Sequence, residues 1–161
     1  MAPVPVDPEE LRLFREGTLY RLLIRARRTE NDEMLRQLWE RGYTDLQSSY
    51  PGLLANLDPG GTSITTLAAR AGVTRQAASQ RIGEIESRGY VSREPDPNDA
   101  RAVVVRRTAK GERLLRDALE VVSGLEAGYA KVLGRKRYEQ MHALLAELVD
   151  EIDPIGALRP D

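Results

Sequence analysis

Residues Ser63–Gly89 read SITTLAARAGVTRQAASQRIGEIESRG, and the architecture of the whole chain follows from this segment. Apolar residues recur at helical spacing on both sides of Gly72, which predicts two helices joined by a tight turn. Glycine suits the turn because it adopts a left-handed backbone without steric strain. The Thr74 hydroxyl can cap the second helix, and Gly89 ends it. This pattern is typical of a helix-turn-helix.

The second helix of the pair has a small, polar outward face. If Ala78, Ile82 and Ile85 point inward, steps of about 100° per residue turn the opposite face outward. That face carries Gln76, Gln80, Gly83 and Ser87. A stripe of amides and hydroxyls without bulky side chains fits a DNA groove. The alternative is an ordinary solvated face, since the same motif occurs in purely structural helical cores.

The periodicity changes from helical to alternating after the second helix. Residues 90–94 predict a strand, residues 95–101 a turn containing two prolines, and residues 102–107 a second strand rich in β-branched residues. A β-hairpin directly behind the second helix is a wing. The predicted fold class is mainly α with a small β-hairpin wing (α+β).

This part of the chain resembles the multiple-antibiotic-resistance regulator (MarR) family of winged helix-turn-helix transcription factors. The resemblance is carried by residues 67–101 and by the TAKG of residues 108–111, where the next helix starts. Wings of that family usually read Asp-Pro-x-Asp-Arg-Arg. The matching positions are Asp96, Pro97, Asp99 and Arg101. Two positions depart: Ala100 replaces one of the usual arginines, and Arg107 stands where the family has an apolar residue.

Five side chains at the start of the second helix are candidate DNA contacts. Gln76 and Gln80 are the leading candidates for base contact, because a glutamine amide matches the N6 and N7 edge of adenine. Thr74, Arg75 and Ser79 would reach phosphates or adjacent bases, assisted by the positive end of the helix dipole. The alternatives are exposed spacers for the glutamines and a surface ion pair for Arg75.

The wing supplies a sixth candidate DNA contact. Arg101 resembles the wing arginine that enters the minor groove in the family, where a narrow A·T-rich groove attracts it. Asp96 and Asp99 are expected to orient this arginine. The alternative role for Arg101 is a salt bridge to either aspartate that shapes the loop.

The net charge of −1 and the pI near 6.0 count against DNA binding at first sight. The charge is unevenly distributed, however. Residues 70–107 carry eight arginines and five acids, a net charge of +3, whereas residues 1–69 and 108–161 carry −2 each. A basic helix and wing are what binding to a polyanion requires, although an excess of this size is also compatible with a solvated surface.

The chain on both sides of the wing is predicted to be helical. A long helix is expected over residues 9–41, with Gly17 and the polar run 27–32 as places where it can bend. A second helix should span residues 45–57, in which Pro51 marks either a kink or a late start. After the wing, apolar residues repeat every three or four positions up to Gly134, and a further stripe ends before Pro154.

The apolar stripes of these terminal helices exceed what a small winged core can cover, so they need a partner. The resemblance implies a second copy whose terminal helices interlock with these, which forms a homodimer. Two recognition helices about 34 Å apart would then meet successive major grooves of an inverted repeat. The alternative is an intramolecular helical bundle.

The predicted domains follow from this organisation. Residues 1–44 form an N-terminal helical dimerisation segment, and residues 45–111 form the winged helix-turn-helix DNA-binding domain. Residues 112–153 form a C-terminal helical dimerisation segment, and residues 154–161 form a flexible tail.

Signatures of catalysis, metal binding and membrane insertion are missing from the sequence. It has one histidine, His142, no cysteine and no phosphate-binding glycine loop. We therefore expect no enzyme, no catalytic residue, no cofactor and no metal, with His142 at the surface or in an interface. No stretch approaches the about 20 apolar residues of a membrane span, and the N-terminus has no signal-peptide pattern, so a cytoplasmic protein without membrane contact is expected.

The resemblance implies a dimeric transcriptional regulator, a repressor, that binds double-stranded DNA through recognition helix 74–88 and wing 90–107. It also implies release by a small aromatic or anionic effector bound between the winged domain and the dimer helices. The aromatic residues in segments that would line such a cleft are Tyr20, Trp39, Tyr43 and Tyr50. Core packing is the alternative for these aromatics. The alternatives for function are a winged-helix module for protein association and a small enzyme with an unrecognised site.

Overall fold

The computed structural model describes residues 5–96 and 99–152, and of residues 99–101 it describes the backbone alone. Within these ranges the chain is mainly helical, with one small antiparallel sheet. The elements are α1 (Pro8–Gly17), α2 (Leu19–Glu40), α3 (Pro51–Leu54), β1 (Thr62–Ser63), α4 (Ile64–Arg70), α5 (Arg75–Ser87), β2 (Val91–Asp96), β3 (Asp99–Arg107), α6 (Ala109–Leu133) and α7 (Arg135–Ile152). The predicted fold class, mainly α with a β-hairpin wing, is confirmed.

The N-terminal helix is interrupted at one of the two places that the sequence indicated. Thr18 has an extended backbone with φ −84° and ψ 140°, and its hydroxyl accepts a hydrogen bond from the backbone N–H of Arg21. This cap ends α1 at Gly17 and begins α2. The polar run 27–32, the other expected interruption, is helical throughout.

The helix expected over residues 45–57 is wrong in its extent. Turns precede it, and only Pro51–Leu54 form α3. Pro51 occupies the first helical position, where its fixed φ fits and its missing N–H leaves no hydrogen bond unmade. The proline therefore marks a late start rather than a kink.

The helix-turn-helix matches the sequence prediction closely. Ser63 caps α4 by accepting from Thr66 N–H at 3.1 Å, and Thr74 caps α5 by accepting from Ala77 N–H at 3.2 Å. Gly72 turns between them with φ +62°. The inward face of α5 is fully buried, with Ala78, Ile82 and Ile85 each 0% exposed.

The two strands of the wing are longer than the sequence indicated. β2 and β3 pair antiparallel, and the pairing continues through Pro95 opposite Val103 to Asp96 opposite Asp99. The turn predicted over residues 95–101 is therefore wrong in its extent, because residues 95 and 96 belong to β2 and residues 99–101 belong to β3, with a register irregularity between Pro95 and Asp96. The sequence also did not indicate β1, which pairs with β3 and gives the sheet order β1-β3-β2.

Helix α6 closes the winged unit and continues away from it. Thr108 caps it, and Gly111 in its first turn packs against the backbone of Tyr90 so closely that a Cβ would lie 2.1 Å from the Tyr90 carbonyl oxygen. The helix ends at Gly134, which has φ +80°, and α7 follows. The tail predicted over residues 154–161 lies outside the described residues.

The terminal helices leave much apolar surface uncovered in one chain. α1 and α7 contain no buried residue among those described. Large exposed apolar residues on α1 and α2 are Leu11, Leu13, Phe14, Leu19, Tyr20, Leu22, Leu23 and Ile24, and those on α7 are Met141, Leu144, Leu145, Leu148, Val149 and Ile152. Over the described residues, no helix combines the length and apolar character needed to traverse a bilayer.

Candidate nucleic-acid interface

The first turns of α5 bring together the five helix residues predicted to contact DNA. Thr74, Arg75, Gln76 and Gln80 are exposed, and Ser79 is half-buried. No carboxylate of the described residues forms an ion pair with Arg75. The Thr74 hydroxyl accepts from Ala77 N–H as a cap, which leaves its own O–H free to donate. The helix therefore presents two amides, a guanidinium and a hydroxyl donor on one surface.

The electrostatics at the start of α5 favour an anion. Its first turn contains no acidic residue, so the partial positive charge of the free backbone N–H groups is not neutralised locally. A phosphate placed there can accept hydrogen bonds from the backbone. This surface therefore suits a nucleic-acid backbone as well as base edges.

Arg93 on β2 joins the wing to α5, a role that the sequence did not indicate. Its Nη2 donates to the carbonyl oxygen of Ser79 at 2.9 Å, and its backbone N–H donates to Glu86 Oε1 at 3.0 Å. Its Nη1 also lies 3.6 Å from Glu86 Oε2. These contacts hold the base of the wing beside the exposed face of α5. The alternating pattern indicated a strand at Arg93 but not its contacts. Its partners Glu86 and Ser79 lie 7 and 14 residues earlier on α5, and no sequence periodicity relates a strand residue to them.

The tip of the wing is less fully described. Asp96 is half-buried and pairs through its backbone with Asp99. Arg101 belongs to β3, but the side chains of Asp99 and Arg101 lie outside the described part of the chain. The minor-groove role of Arg101 and its orientation by the two aspartates stay predictions.

Much of the positive charge of residues 70–107 is structural. Arg70 and Arg107 have side chains that are only 6% exposed, and each binds a carboxylate and a backbone carbonyl. The departure from the family at Arg107 is explained by its hydrogen bonds to the Leu57 carbonyl at 2.6 Å and to Glu112 Oε1 at 2.9 Å. The surface excess of charge near α5 is therefore carried by fewer arginines than the composition suggests.

A hydrogen-bonded cluster anchors α6 behind α5. The Tyr90 hydroxyl donates to Asp45, and Lys110 Nζ lies 3.1 Å from Asp45 Oδ2 and donates to the Arg88 carbonyl at 2.9 Å. Burial, reinforced by the Asp45 carboxylate, raises the pKa of Tyr90 well above its ordinary value. Desolvation opposes ionisation of Asp45, but the hydrogen bonds from Tyr90 and Lys110 outweigh it and lower the pKa of Asp45. The cluster therefore ties the 45–50 segment, the end of α5 and α6 together.

Two adjoining cavities lie beside α2, α3 and α6. The first, which we call the apolar cavity, has a volume of about 160 Å³ and is lined chiefly by Leu38, Leu54, Leu114, Leu115, Ala118 and Leu119. The second, which we call the arginine cleft, has a volume of about 730 Å³ and is lined in part by Arg27, Arg28, Glu30, Asn31, Ser48 and Arg81.

The four aromatic residues in the segments that would line an effector cleft do not line either cavity, and core packing, the alternative for these aromatics, applies to part of them. Tyr50 is 0% exposed in the core, and Tyr43 is half-buried and donates to Asp117. Trp39 donates to the Leu46 carbonyl at 3.1 Å, and Tyr20 is exposed on α2. Tyr50 therefore belongs to the core, and hydrogen bonds fix Tyr43 and Trp39. The cavities are lined largely by aliphatic and arginine side chains.

Known proteins similar to this chain are regulators of transcription. A model of the MarR family matches residues 44–102. The chain is 30% identical over 135 residues to the HTH-type transcriptional regulator FarR of Neisseria gonorrhoeae, covering 84% of this chain and 91% of that protein.

Two solved structures have the same fold. The transcriptional repressor CouR bound to a 23-mer DNA duplex has a TM-score of 0.69 at 23% identity, covering 91% of this chain and 99% of that one. NadR in complex with 4-hydroxyphenylacetate has a TM-score of 0.63 at 25% identity, covering 90% of this chain and 97% of that one.

Proposed function

The chain belongs to the MarR family of transcriptional regulators, and from that premise we propose that it is a dimeric repressor that binds an inverted-repeat operator and is released by a small-molecule effector. Recognition helix 74–88 and wing 90–107 are the elements that we assign to the operator.

The exposed face of α5 is the observation that carries this proposal. Gln76 and Gln80 lie on a helix whose first turn contains no acidic residue to neutralise its partial positive charge. Arg93 hydrogen-bonds to this helix and so keeps the β-hairpin beside the two glutamines. We assign base contact to the two glutamines and phosphate or adjacent-base contact to Thr74, Arg75 and Ser79. Arg101, oriented by Asp96 and Asp99, is assigned to the minor groove.

The dimer is supported by the uncovered apolar faces of the terminal helices. We assign residues 1–44 and 112–153 to dimerisation and residues 45–111 to DNA binding, with residues 154–161 as a tail. Burying these faces against a second copy removes them from water, and a twofold arrangement sets two recognition helices toward one side of the duplex.

Two observations support release by a small-molecule effector: the two cavities beside α2, and the ligand bound by the structural neighbour NadR. NadR binds 4-hydroxyphenylacetate, a small aromatic anion, and this chain has both an apolar cavity and an arginine cleft. We propose no catalytic activity, since the relatives are regulators. Action on chromosomal DNA would place the protein in the cytoplasm.

Genomic footprinting with the purified protein tests this function. We expect protection of one or more inverted repeats, and fluorescence-anisotropy titration of a recovered site should show an affinity that falls as salt rises, because phosphate contacts release counterions. Binding of random DNA as tightly as the recovered site would favour the alternative of a winged-helix interaction module. A module for protein association does not require an exposed stripe of amides next to a wing, whereas DNA binding uses both.

A further inference from the structure

We propose that Arg93 is a positioning residue for DNA. It holds the wing at a fixed angle to α5, so that the recognition helix and the tip of the wing reach one duplex together. The inference deepens the proposed function and rests on it for the consequence at the operator. The angle itself is a property of the chain alone and can be measured without DNA.

The two ends of the wing differ in how they are held. At its base, Val91 and Val105 are buried in the same core as the inward face of α5. Farther out, Pro95 and Val103 pair with each other, and both are exposed. The distal part of the wing therefore receives no orientation from core packing.

Arg93 lies where the wing leaves the core, and it contacts α5 through its side chain and its backbone. Nη2 donates to the Ser79 carbonyl at 2.9 Å, the backbone N–H donates to Glu86 Oε1 at 3.0 Å, and Nη1 lies 3.6 Å from Glu86 Oε2. Between α5 and residues 91–95 and 102–107, every hydrogen bond and ion pair involves Arg93. Because backbone and side chain are both engaged, the contacts restrain the direction of the strand as well as its distance from the helix.

Gly83 leaves room for the Arg93 guanidinium on α5. A Cβ added to Gly83 would meet Arg93 Nη2 at 3.8 Å. The guanidinium therefore lies beside the one residue of the outward face of α5 that has no side chain, and a longer side chain there would compete for the same space. Part of the outward face is thus used to dock the wing.

The charge of Arg93 is used within the protein. Glu86 neutralises it, and both Nη atoms face acceptors of α5. An arginine engaged in this way brings no net charge to a DNA phosphate. Its contribution to DNA binding is therefore the position of the wing.

A small change of this angle has a large effect at the tip. Asp96 lies three residues beyond Arg93 on β2, which is about 10 Å along a strand. A tilt of about 10° over that length displaces the tip by about 2 Å, more than the spread of donor–acceptor distances in hydrogen bonds. Arg101, assigned to the minor groove, would then lose its contact unless binding reorders the wing, which costs free energy.

A double-mutant cycle on the operator recovered by footprinting tests the consequence for DNA. Arg93→Met keeps the aliphatic stem without the donors and should weaken operator binding about tenfold. In the Arg101→Ala background the same change should weaken binding less than about twofold, because no wing contact remains to be misplaced. Equal losses in both backgrounds, or no loss in either, would overturn the proposal.

Arg113→Met is the matched control for the lost positive charge. Arg113 is an exposed arginine of α6, outside the helix and the wing assigned to DNA. Its substitution should change operator affinity less than about twofold in either background. Thermal unfolding of each variant checks that the protein is folded.

Two further measurements separate positioning from direct contact. In the Arg101→Ala background, Arg93→Met should leave the slope of log affinity against log salt unchanged, whereas loss of a phosphate contact would reduce it by about 0.9 and overturn the proposal. Glu86→Ala removes a negative charge near the DNA surface, so charge alone predicts tighter binding. Loss of the Arg93 anchor predicts binding weaker by about threefold or more, and tighter binding would overturn the proposal.

Residual dipolar couplings of the backbone amides, measured without DNA, report the orientation of the wing against α5. In wild type and in Arg113→Met, the couplings of residues 94, 96, 102 and 103 should fit one rigid arrangement with those of α5. In Arg93→Met they should deviate from it, while the couplings within α5 stay unchanged. Unaltered couplings of the wing in Arg93→Met would overturn the proposal.

The two proposals fail separately, because the couplings are measured without DNA. Altered couplings in Arg93→Met, together with no binding of any genomic fragment, would contradict the repressor function and leave the orientation of the wing assigned to Arg93. Operator binding that Arg93→Met does not weaken, with unaltered couplings, would contradict the positioning role alone.

Discussion

Gln80 is exposed on α5 one helical turn after Gln76, and its amide is free to meet a base edge. We predict that Gln80→Ala weakens binding to the specific operator by about 1–3 kcal/mol and leaves binding to random DNA nearly unchanged, because only base readout is lost. Anisotropy titrations on both duplexes measure the difference. Ser87→Ala, at the far end of the same exposed face, is the control and should leave both affinities unchanged. An equal loss on both duplexes would remove Gln80 from the base contacts.

Asp45 makes the stability of the winged unit depend on pH. Its pKa is lowered in the folded protein, so its contribution is present above the ordinary aspartate value of 3.8 and disappears as pH falls through the folded value. We predict that Asp45→Asn lowers the free energy of unfolding by about 1 kcal/mol at pH 7, a modest figure because the side chain is 39% exposed. The difference from wild type should shrink as the pH falls and the Asp45 carboxylate becomes protonated.

Urea unfolding at a series of pH values measures this effect. Asp32→Asn, an exposed aspartate of α2 that no described cation pairs with, is the control and should stay within about 0.5 kcal/mol of wild type at pH 7. If the free energies of unfolding of Asp45→Asn and wild type differ by the same amount at acidic and neutral pH, the negative charge of Asp45 does not stabilise the cluster.

Gly111 determines how closely α6 packs against the wing. An added Cβ would lie 2.1 Å from the Tyr90 carbonyl oxygen, so the helix or the strand must move to accept it. We predict that Gly111→Ala lowers the free energy of unfolding by at least about 2 kcal/mol.

Gly124→Ala is the matched control in the same helix. It has nothing within 4 Å of its added Cβ and should stabilise the protein by about 0.5–1 kcal/mol through helix propensity. Urea midpoints at one protein concentration compare the two variants. A shift of the same sign in both would contradict the close packing at Gly111.

The elements that the sequence predicted well are those with local determinants. The recognition helix predicted over 74–88 is observed as Arg75–Ser87, because a capping threonine, a buried apolar face and a following glycine all act within the segment. β1 could not be predicted, because two residues have no periodicity and their strand exists only through pairing with β3. The contacts of Arg93 and Arg107 were missed for a related reason, since each reaches partners distant in sequence.

The uncovered apolar faces of α1, α2 and α7 should make the dimer the stable form of the protein. Light scattering coupled to size exclusion at micromolar concentration should give twice the 18.0 kDa of the chain. Leu144→Asp/Leu148→Asp, which places two charges on the exposed apolar stripe of α7, should shift the mass toward one chain. A wild-type particle of 18.0 kDa would contradict dimerisation and favour an intramolecular role for these helices.

In the repressor that we propose, one dimer places its two recognition helices against the two halves of one operator. The measurement is the affinity for the recovered operator against the same duplex with five base pairs inserted between its halves. The insertion rotates one half by about half a turn and moves it along the axis, so only one helix can engage. We predict a loss of at least about a hundredfold, while a length-preserving change of the five central base pairs costs far less. Equal affinity for the operator with and without the insertion would contradict simultaneous binding by both recognition helices.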